Sequence, residues 1–510
     1  MDYKDAPGSS GGVVRNSGSE NTADELLTSL GYKPELSRNR STWQVAFMSF
    51  VLASIPYGLA TTLFYPLNGG GPVNVVWGWV MVSLITICVA ASLGEITSVY
   101  PTAGGVYYQS FMLAPASYRR LAAWVCGWLY VSGNITITLA VNFGTALFFV
   151  GCVNVFETAD GGPVLAGEAY QVFLIFVGLT IICNLVSSLG NKWLPLLDTF
   201  AIFWTFAGVI AITAVILAIA KNGRRDAAWV FTHFEASSGW APGWSFMVGL
   251  LQAAYATSST GMIISMCEEV RAPATQVPKA MVLAVVLNTF AGLLFLIPLL
   301  FVLPEISDLI LLAQPVPAII KSAVGNDGGA FALLIPLMVL AILCGIGCTT
   351  ACARAVWAFA RDGAIPGSKW WAKVHTGLDV PLNAMMLSMV VEIILGVIYF
   401  GSSAAFNAFS GVGVICLTAA YATPIVISMA ERRKTIQTAS FNMGNALGYF
   451  CNTVAVGWTL LAIPLFCMPS TIPVDPAFMN YASVVFFVFS AVSIFWYLAW
   501  GRKHYAGPPT

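Results

Sequence analysis

Charge is what this chain has least of. Asp, Glu, Lys and Arg make up 9% of its 510 residues, against about 25% in soluble globular domains, so water is not the solvent for most of its surface. Histidine occurs three times, as His233, His375 and His504, all between or beyond the apolar runs, which excludes a histidine proton relay inside a membrane. The net charge is zero and no basic cluster is interleaved with aromatics, so nucleic-acid binding is set aside. The eleven cysteines lie mainly inside apolar runs, among them Cys88, Cys126, Cys183, Cys344, Cys416 and Cys467. Without paired loop spacing or metal-ligand spacing they are small core residues. Cys348 and Cys352 share a helix face beside Gly345 and Gly347, which suits close helix packing. Gly69-Gly70-Gly71-Pro72 lacks the Lys and Ser/Thr of a phosphate-binding loop and reads as a tight external loop, so nucleotide-driven pumping is not supported. No metal and no cofactor is expected. An enzyme embedded in the membrane would need clustered intramembrane His, Asp or Glu, and the spans hold almost none.

What is abundant is apolar sequence, at 58% of the residues. A helix needs roughly 20 mostly apolar residues to cross a hydrocarbon core of about 30 Å. Such stretches fall near 43–67, 73–98, 118–152, 169–189, 194–220 and 243–266, then near 280–303, 330–358, 382–400, 404–429, 448–468 and 480–500. Twelve spans put both termini on one side. Residues 1–42 are rich in Ser, Gly and Asn and read as a disordered tail; residues 501–510 form a second short tail.

Lys and Arg are enriched in cytoplasmic loops of membrane proteins. With a cytosolic N-terminus, only Lys221, Arg224, Arg225 and Lys321 of the 23 basic residues fall outside, so both termini are expected in the cytosol. Two spans are interrupted where a straight helix should run: Ser54-Ile55-Pro56-Tyr57-Gly58 in the first and Tyr255-Ala256-Thr257-Ser258-Ser259-Thr260-Gly261 in the sixth. Breaks five helices apart, at matching places, point to a transporter site, because unwound backbone at the midplane frees amides and carbonyls for a solute. A simple proline kink with a hydroxyl-rich packing face is the competing explanation.

The run Ser92-Leu93-Gly94-Glu95-Ile96-Thr97-Ser98-Val99-Tyr100-Pro101-Thr102-Ala103-Gly104-Gly105-Val106-Tyr107-Tyr108 resembles the signature loop of the amino acid/polyamine/organocation superfamily. Glu268-Glu269-Val270 through Val277-Pro278, and Arg354 through Pro366, match the same pattern. Gly31-Tyr32-Lys33-Pro34-Glu35-Leu36, Val380-Pro381-Leu382-Asn383-Ala384 and Met479-Asn480-Tyr481 resemble its fungal amino acid/choline transporter branch. The resemblance implies an all-α membrane protein with a LeuT-type five-plus-five inverted repeat and two extra helices. On that plan residues 43–220 form the first repeat, 243–430 the inverted repeat and 448–500 the peripheral pair. It also implies alternating-access transport of an amine-bearing solute (amino acid, choline-like compound, GABA or polyamine), the expected partners being that solute, the lipid bilayer and protons as coupling ion.

The expected solute contacts are Ser54, Pro56, Tyr57 and Gly58 in the first break and Tyr255, Ala256, Thr257, Ser258 and Ser259 in the second. Tyr57 and Tyr255 could close over a solute or stack on an ammonium group. Asn134 in the third span is a further contact; Asn142 and Asn407 rank behind it, since interhelical hydrogen bonding explains such residues equally well. Several choline and GABA permeases that this chain resembles carry an aspartate where it has Gly261, which leaves room for a neutral or zwitterionic amine. Glu95 and Glu269 (with Glu268), near the inner ends of the second and sixth spans, are expected to pair with Arg354 and Arg361 as an inner gate. The alternatives are a carrier for a specialised fungal metabolite such as an alkaloid, and a transporter-like nutrient receptor. The plasma membrane is preferred to the vacuole.

Overall fold

The computed structural model describes residues 17–38, 40–401, 404–474 and 479–509. No strand longer than an isolated bridge occurs among them. Among the described residues, eleven helices are long and apolar enough to cross a membrane. A further crossing, the sixth in chain order, is assembled from three shorter pieces, Pro242–Gly249, Leu251–Thr257 and the 3₁₀ stretch Ser258–Glu269. The protein is therefore an all-helical, multi-pass membrane protein of about twelve spans.

The first span runs as Thr42–Ala53 and Ile55–Thr61. The stretch Phe64–Val73 carries one non-helical residue, Gly71 at φ 62°, and there the chain reverses into the second span, Trp79–Val99. The loop expected at Gly69–Pro72 thus shrinks to a single left-handed residue, a conformation glycine adopts without strain. The third span, Arg119–Val153, and the eighth, Asp327–Arg361, have 35 residues each, about 52 Å of helix, so both reach beyond the hydrocarbon core. The remaining crossings are Ala169–Leu189, Leu194–Ile219, Pro273–Phe301, Leu382–Gly396, Ala405–Ala430, Asn445–Leu465 and Ala482–Trp496.

Spans one, three and ten are mostly buried, and span twelve is almost wholly outside the bundle. Spans three and ten approach closely because each offers a glycine to the other. A Cβ on Gly133 would lie 2.8 Å from Leu417, and one on Gly413 would lie 2.6 Å from Ile137. Small residues at a helix contact let the backbones come together where no hydrophobic drive exists between helices in lipid. On the periphery Leu174, Phe203, Phe290, Ile394, Phe450, Phe487 and Phe495 are exposed, the apolar exterior that a bilayer covers.

Both ends of the described chain meet on one face, called here the terminal face: Tyr108 donates to the Leu30 carbonyl (3.0 Å), and Gly31 lies against Pro509. The expectation of a disordered tail over 1–42 is corrected for its described part. Ser17–Ser29 is a helix, and Ala23, Leu27, Tyr32 and Leu36 are buried. These few apolar side chains, scattered through a polar stretch, find a groove in the bundle that composition alone does not reveal. Residues 1–16 lie outside the described residues.

Candidate functional site

The break in the first span follows from one proline. In a continuous helix the Leu52 carbonyl would accept from the amide four residues on, but that residue is Pro56, which has no N–H. Ser54 takes the left-handed conformation (φ 41°, ψ 52°), and the helix restarts at Ile55 with Pro56 in its first turn, where a missing donor costs nothing. The thiols of Cys344 and Cys348 on span eight reach the Leu52 carbonyl at 3.6 and 3.8 Å. These cysteines, read above as packing residues, thus also serve the break as weak donors.

The sixth span differs from its expectation. It has no unwound gap between Tyr255 and Gly261; it changes pitch, from α to a 12-residue 3₁₀ helix starting at Ser258. Runs of that length are uncommon because 3₁₀ hydrogen bonds are poorer in geometry. Side chains support it: the Ser258 hydroxyl donates to the Tyr255 carbonyl (2.7 Å), Thr260 to the Thr257 carbonyl (2.7 Å) and Ser265 to the Met262 carbonyl (2.8 Å). Tyr421 of span ten donates to the Ser258 carbonyl (3.0 Å) and Tyr130 of span three to that of Gly261 (3.4 Å). The hydroxyl-rich sequence therefore props a tightened helix, and its carbonyls are less free than the pattern suggested.

Between the two breaks lies a closed cavity of about 10 Å³, room for a single water. Of the expected contacts, Tyr57, Gly58, Tyr255, Ala256, Ser258 and Ser259 line it. Ser54 and Pro56 form the adjoining backbone. Thr257 does not line it: its hydroxyl accepts from Thr86 of span two (3.2 Å). Asn134 does not line it either, and its amide donates one turn back to the Tyr130 carbonyl (2.8 Å). Span three contributes Ile137 and Val141 instead, with Leu52, Ala53 and Cys344 completing the wall. Tyr57 is tied down, its hydroxyl bonded to the Val141 carbonyl (2.8 Å) and to Thr145 (2.7 Å). The Tyr255 hydroxyl is buried without a hydrogen-bond partner. The side chain of Asn407 lies outside the described residues.

Gly261 has a structural reason. A Cβ there would lie 2.5 Å from a ring carbon of Tyr421, so the tyrosine occupies the space that any side chain at 261 would need. Sequence reasoning missed Tyr421, because it lies 160 residues further along in an unremarkable apolar span. Gly261→Asp alone is expected to destabilise the fold by about 1–3 kcal/mol through overpacking. Tyr421→Ala combined with Gly261→Asp is expected to recover most of that loss, as a thermal melt in detergent would record.

The cavity is sealed toward both faces. On the side away from the terminal face, Gln252 donates to the Leu59 carbonyl (2.8 Å) and Gln314 to that of Thr61 (3.3 Å). Toward the terminal face the seal is ionic. Glu269 accepts from Arg354 (2.8 Å) and Arg40 (3.4 Å), Arg40 also pairs with Asp198 (2.7 Å), and Arg354 reaches Asn191 (3.1 Å). Glu268 holds Arg361 through both oxygens (2.8 and 3.0 Å) and accepts from the Ala103 amide (3.1 Å) in the signature loop. The pairing expected for Glu95 is corrected: it takes neither Arg354 nor Arg361, but Arg433 after span ten (2.9 Å) and the Met443 amide (2.7 Å). Arg40 and Asp198, unsuspected from sequence, complete the network.

The N-terminal segment closes over this seal. Arg361 lies 4.0 Å from the Tyr32 ring centroid, and Tyr32 and Tyr107 both donate to Asp362 (2.9 and 2.7 Å). Burial pushes the Asp362 carboxyl up to about 6, against the lowering pull of Arg361 and the two hydroxyls. With a folded value above its ordinary 3.8, the group contributes stability that is full below about pH 4 and is lost as pH rises through about 6. Amide exchange over residues 30–38, corrected for its intrinsic pH dependence, is expected to be faster at about pH 7 than at about pH 5. Asp362→Asn should abolish that difference.

A bundle of about twelve crossings, closed around a cavity at two irregular helices and sealed separately toward each face, defines a membrane transporter and not an enzyme. The amino acid permease family profile matches residues 41–489, and the chain belongs to that family. It is 32% identical over 494 residues to an uncharacterized amino-acid permease of Schizosaccharomyces pombe, covering 96% of this chain and 90% of the other. It is 30% identical to a choline transporter of Saccharomyces cerevisiae (92% and 83% covered). A polyamine transporter of the same yeast is 29% identical (90% and 74% covered).

Proposed function

We propose that this protein carries a small, net-neutral or zwitterionic amine-bearing solute across the plasma membrane by alternating access, driven by protons. The observation that carries the reading is the cavity between the two irregular helices, with a seal of different chemistry on each side: amide-to-carbonyl bonds on one, buried ion pairs on the other. Such seals can open one at a time as the bundle rocks. The names of the relatives, amino-acid permease, choline transporter and polyamine transporter, support an amine as the common element. The lining favours a solute without net charge: among the described residues it holds hydroxyls, a thiol and two tyrosines, and no carboxylate or cation. The excess of Lys and Arg in the loops on the terminal face supports its placement in the cytosol.

Uptake into proteoliposomes, with neutral amino acids, GABA, choline and polyamines tested in turn, with and without an inward proton gradient, decides the matter. Gradient-stimulated accumulation of a neutral or zwitterionic amine is the expected result. Accumulation of choline alone would overturn the preference for a net-neutral solute. Failure of every compound in a competent preparation would favour a specialised-metabolite carrier or a receptor. Should a zwitterion be carried, Gly261→Asp with Tyr421→Ala is expected to raise choline uptake about tenfold or more, since the new carboxylate attracts the quaternary ammonium by charge alone and about 1.4 kcal/mol of such attraction is a factor of ten.

A further inference from the structure

Span nine holds an acid that the function described so far does not use. Glu392 is fully buried, and neither carboxyl oxygen has a hydrogen bond of good geometry. It stands ten residues into the helix that begins at Leu382, a depth of about 15 Å, close to the middle of a hydrocarbon core about 30 Å thick. The break at Ser54 lies twelve residues into its own span, at a similar depth. Among the described residues no Lys or Arg acts on Glu392. The groups around it are Asn142 of span three, Cys183 of span four and Cys352 of span eight. Thr138 of span three and Ser388, one turn back on span nine, lie beside Cys352 in turn.

We infer that Glu392 is the site that binds and releases the coupling proton, and that Asn142 reads its charge state toward the solute cavity. The inference rests on the proton-driven reading above. A carboxylate stranded at this depth without a cation carries the full cost of desolvation, so the closed conformation suits the proton-bearing acid, and loss of the proton requires water to enter or the helices to move. Asn142 is suited to both states. Its amide can present its oxygen to a carboxylic acid or, turned over, its nitrogen to a carboxylate, and its Nδ2 has no acceptor in the closed form. The link to the solute site is short. Asn142 and Cys183 fill the space beside Gly345, where a Cβ would lie 2.7 and 2.9 Å from them. The neighbouring Cys344 lines the cavity and donates to the Leu52 carbonyl at the break. One proton is taken up by the carboxylate from one side and released to the other, with no other bond made or broken.

The test compares wild type with Glu392→Gln and Glu392→Asp in proteoliposomes. Glu392→Gln is expected to lose stimulation by a proton gradient and the pH dependence of uptake, while keeping solute counterflow at equal pH within about twofold. Glu392→Asp should restore part of the stimulation. Gradient stimulation equal to wild type in Glu392→Gln would overturn the assignment. Counterflow without gradient stimulation in wild type would overturn the coupling reading and this assignment with it, while leaving the transport function standing. Infrared difference spectra between acid and alkaline pH give a readout that needs no solute. A protonated-carboxyl band that titrates in wild type and disappears in Glu392→Gln supports the site, and a band identical in both overturns it.

Discussion

Glu269→Ala is expected to convert the sealed terminal face into an open one. Among the described residues the carboxylate is the only acid that Arg354 reaches, and it shares Arg40 with Asp198. Arg354 is completely buried, so removing its partner strands a buried guanidinium, at a cost of about 3–5 kcal/mol to the closed conformation. A conformation in which the terminal face is hydrated does not bear that cost. The closed-to-open ratio should therefore fall by two to three orders of magnitude or more.

Native cysteines report the change. Cys267, Cys344 and Cys348 are buried around the seal and the cavity, and a water-soluble maleimide should label them in the variant and spare them in wild type. Cys126 and Cys416, buried in spans three and ten, should stay unlabelled in both if the bundle remains folded. Unchanged protection of Cys267 in a folded variant would show that the ion pairs do not hold the seal. The pair Arg225–Glu305 on the opposite face serves as a contrast, since the Glu305 side chain is 73% exposed. Glu305→Ala should change stability by no more than about 1 kcal/mol and leave labelling as in wild type.

Uptake should disappear in Gly58→Trp. Gly58 lines a cavity of about 10 Å³, and a Cβ there would stand 3.5 Å from the Ala256 Cβ and from the Ala53 carbonyl oxygen. Those are ordinary contacts, so Gly58→Ala folds normally and loses transport by about five- to tenfold, the effect of roughly 1 kcal/mol of overpacking where the solute must fit. An indole exceeds any room that a modest opening could create. A series through Ala, Leu and Trp should therefore fall monotonically to background uptake, while labelling of Cys126 stays at the wild-type level. Full uptake by the Trp variant would move the solute site away from the two breaks. Ser258→Trp, on the facing helix, is expected to give the same result.

The two breaks show how far sequence reasoning carries and where it stops. The break in the first span was legible because Pro56 has a local consequence, a carbonyl four residues back without a donor, wherever the helix sits. The sixth span carried only an abundance of hydroxyls, which fits unwinding and 3₁₀ tightening equally well. Tyr421 and Tyr130, arriving from other spans, accompany the second outcome. Glu95 shows the same limit: its place near the end of span two was plain, but its partner Arg433 is 338 residues away, and Arg354 and Arg361 offered the same charge. The N-terminal segment was misread because a polar tail with four well-placed apolar side chains differs little in composition from one with none.

The sequence by itself determined the solvent, the number and rough bounds of the crossings, the break at Pro56 and the family. All of these depend on the free energy of transferring single residues or short runs between water, lipid and helix, and such quantities are local. Only the tertiary structure decided which acids meet which bases at the terminal face, that Tyr421 fills the space beside Gly261, and that Glu392 has no cation near it among the described residues. Those depend on distances between spans hundreds of residues apart. A side chain buried in the bundle is paired or unpaired according to helix rotations of a few tens of degrees, which the apolar pattern of a membrane span leaves open because its lipid-facing and core-facing sides are alike in hydropathy.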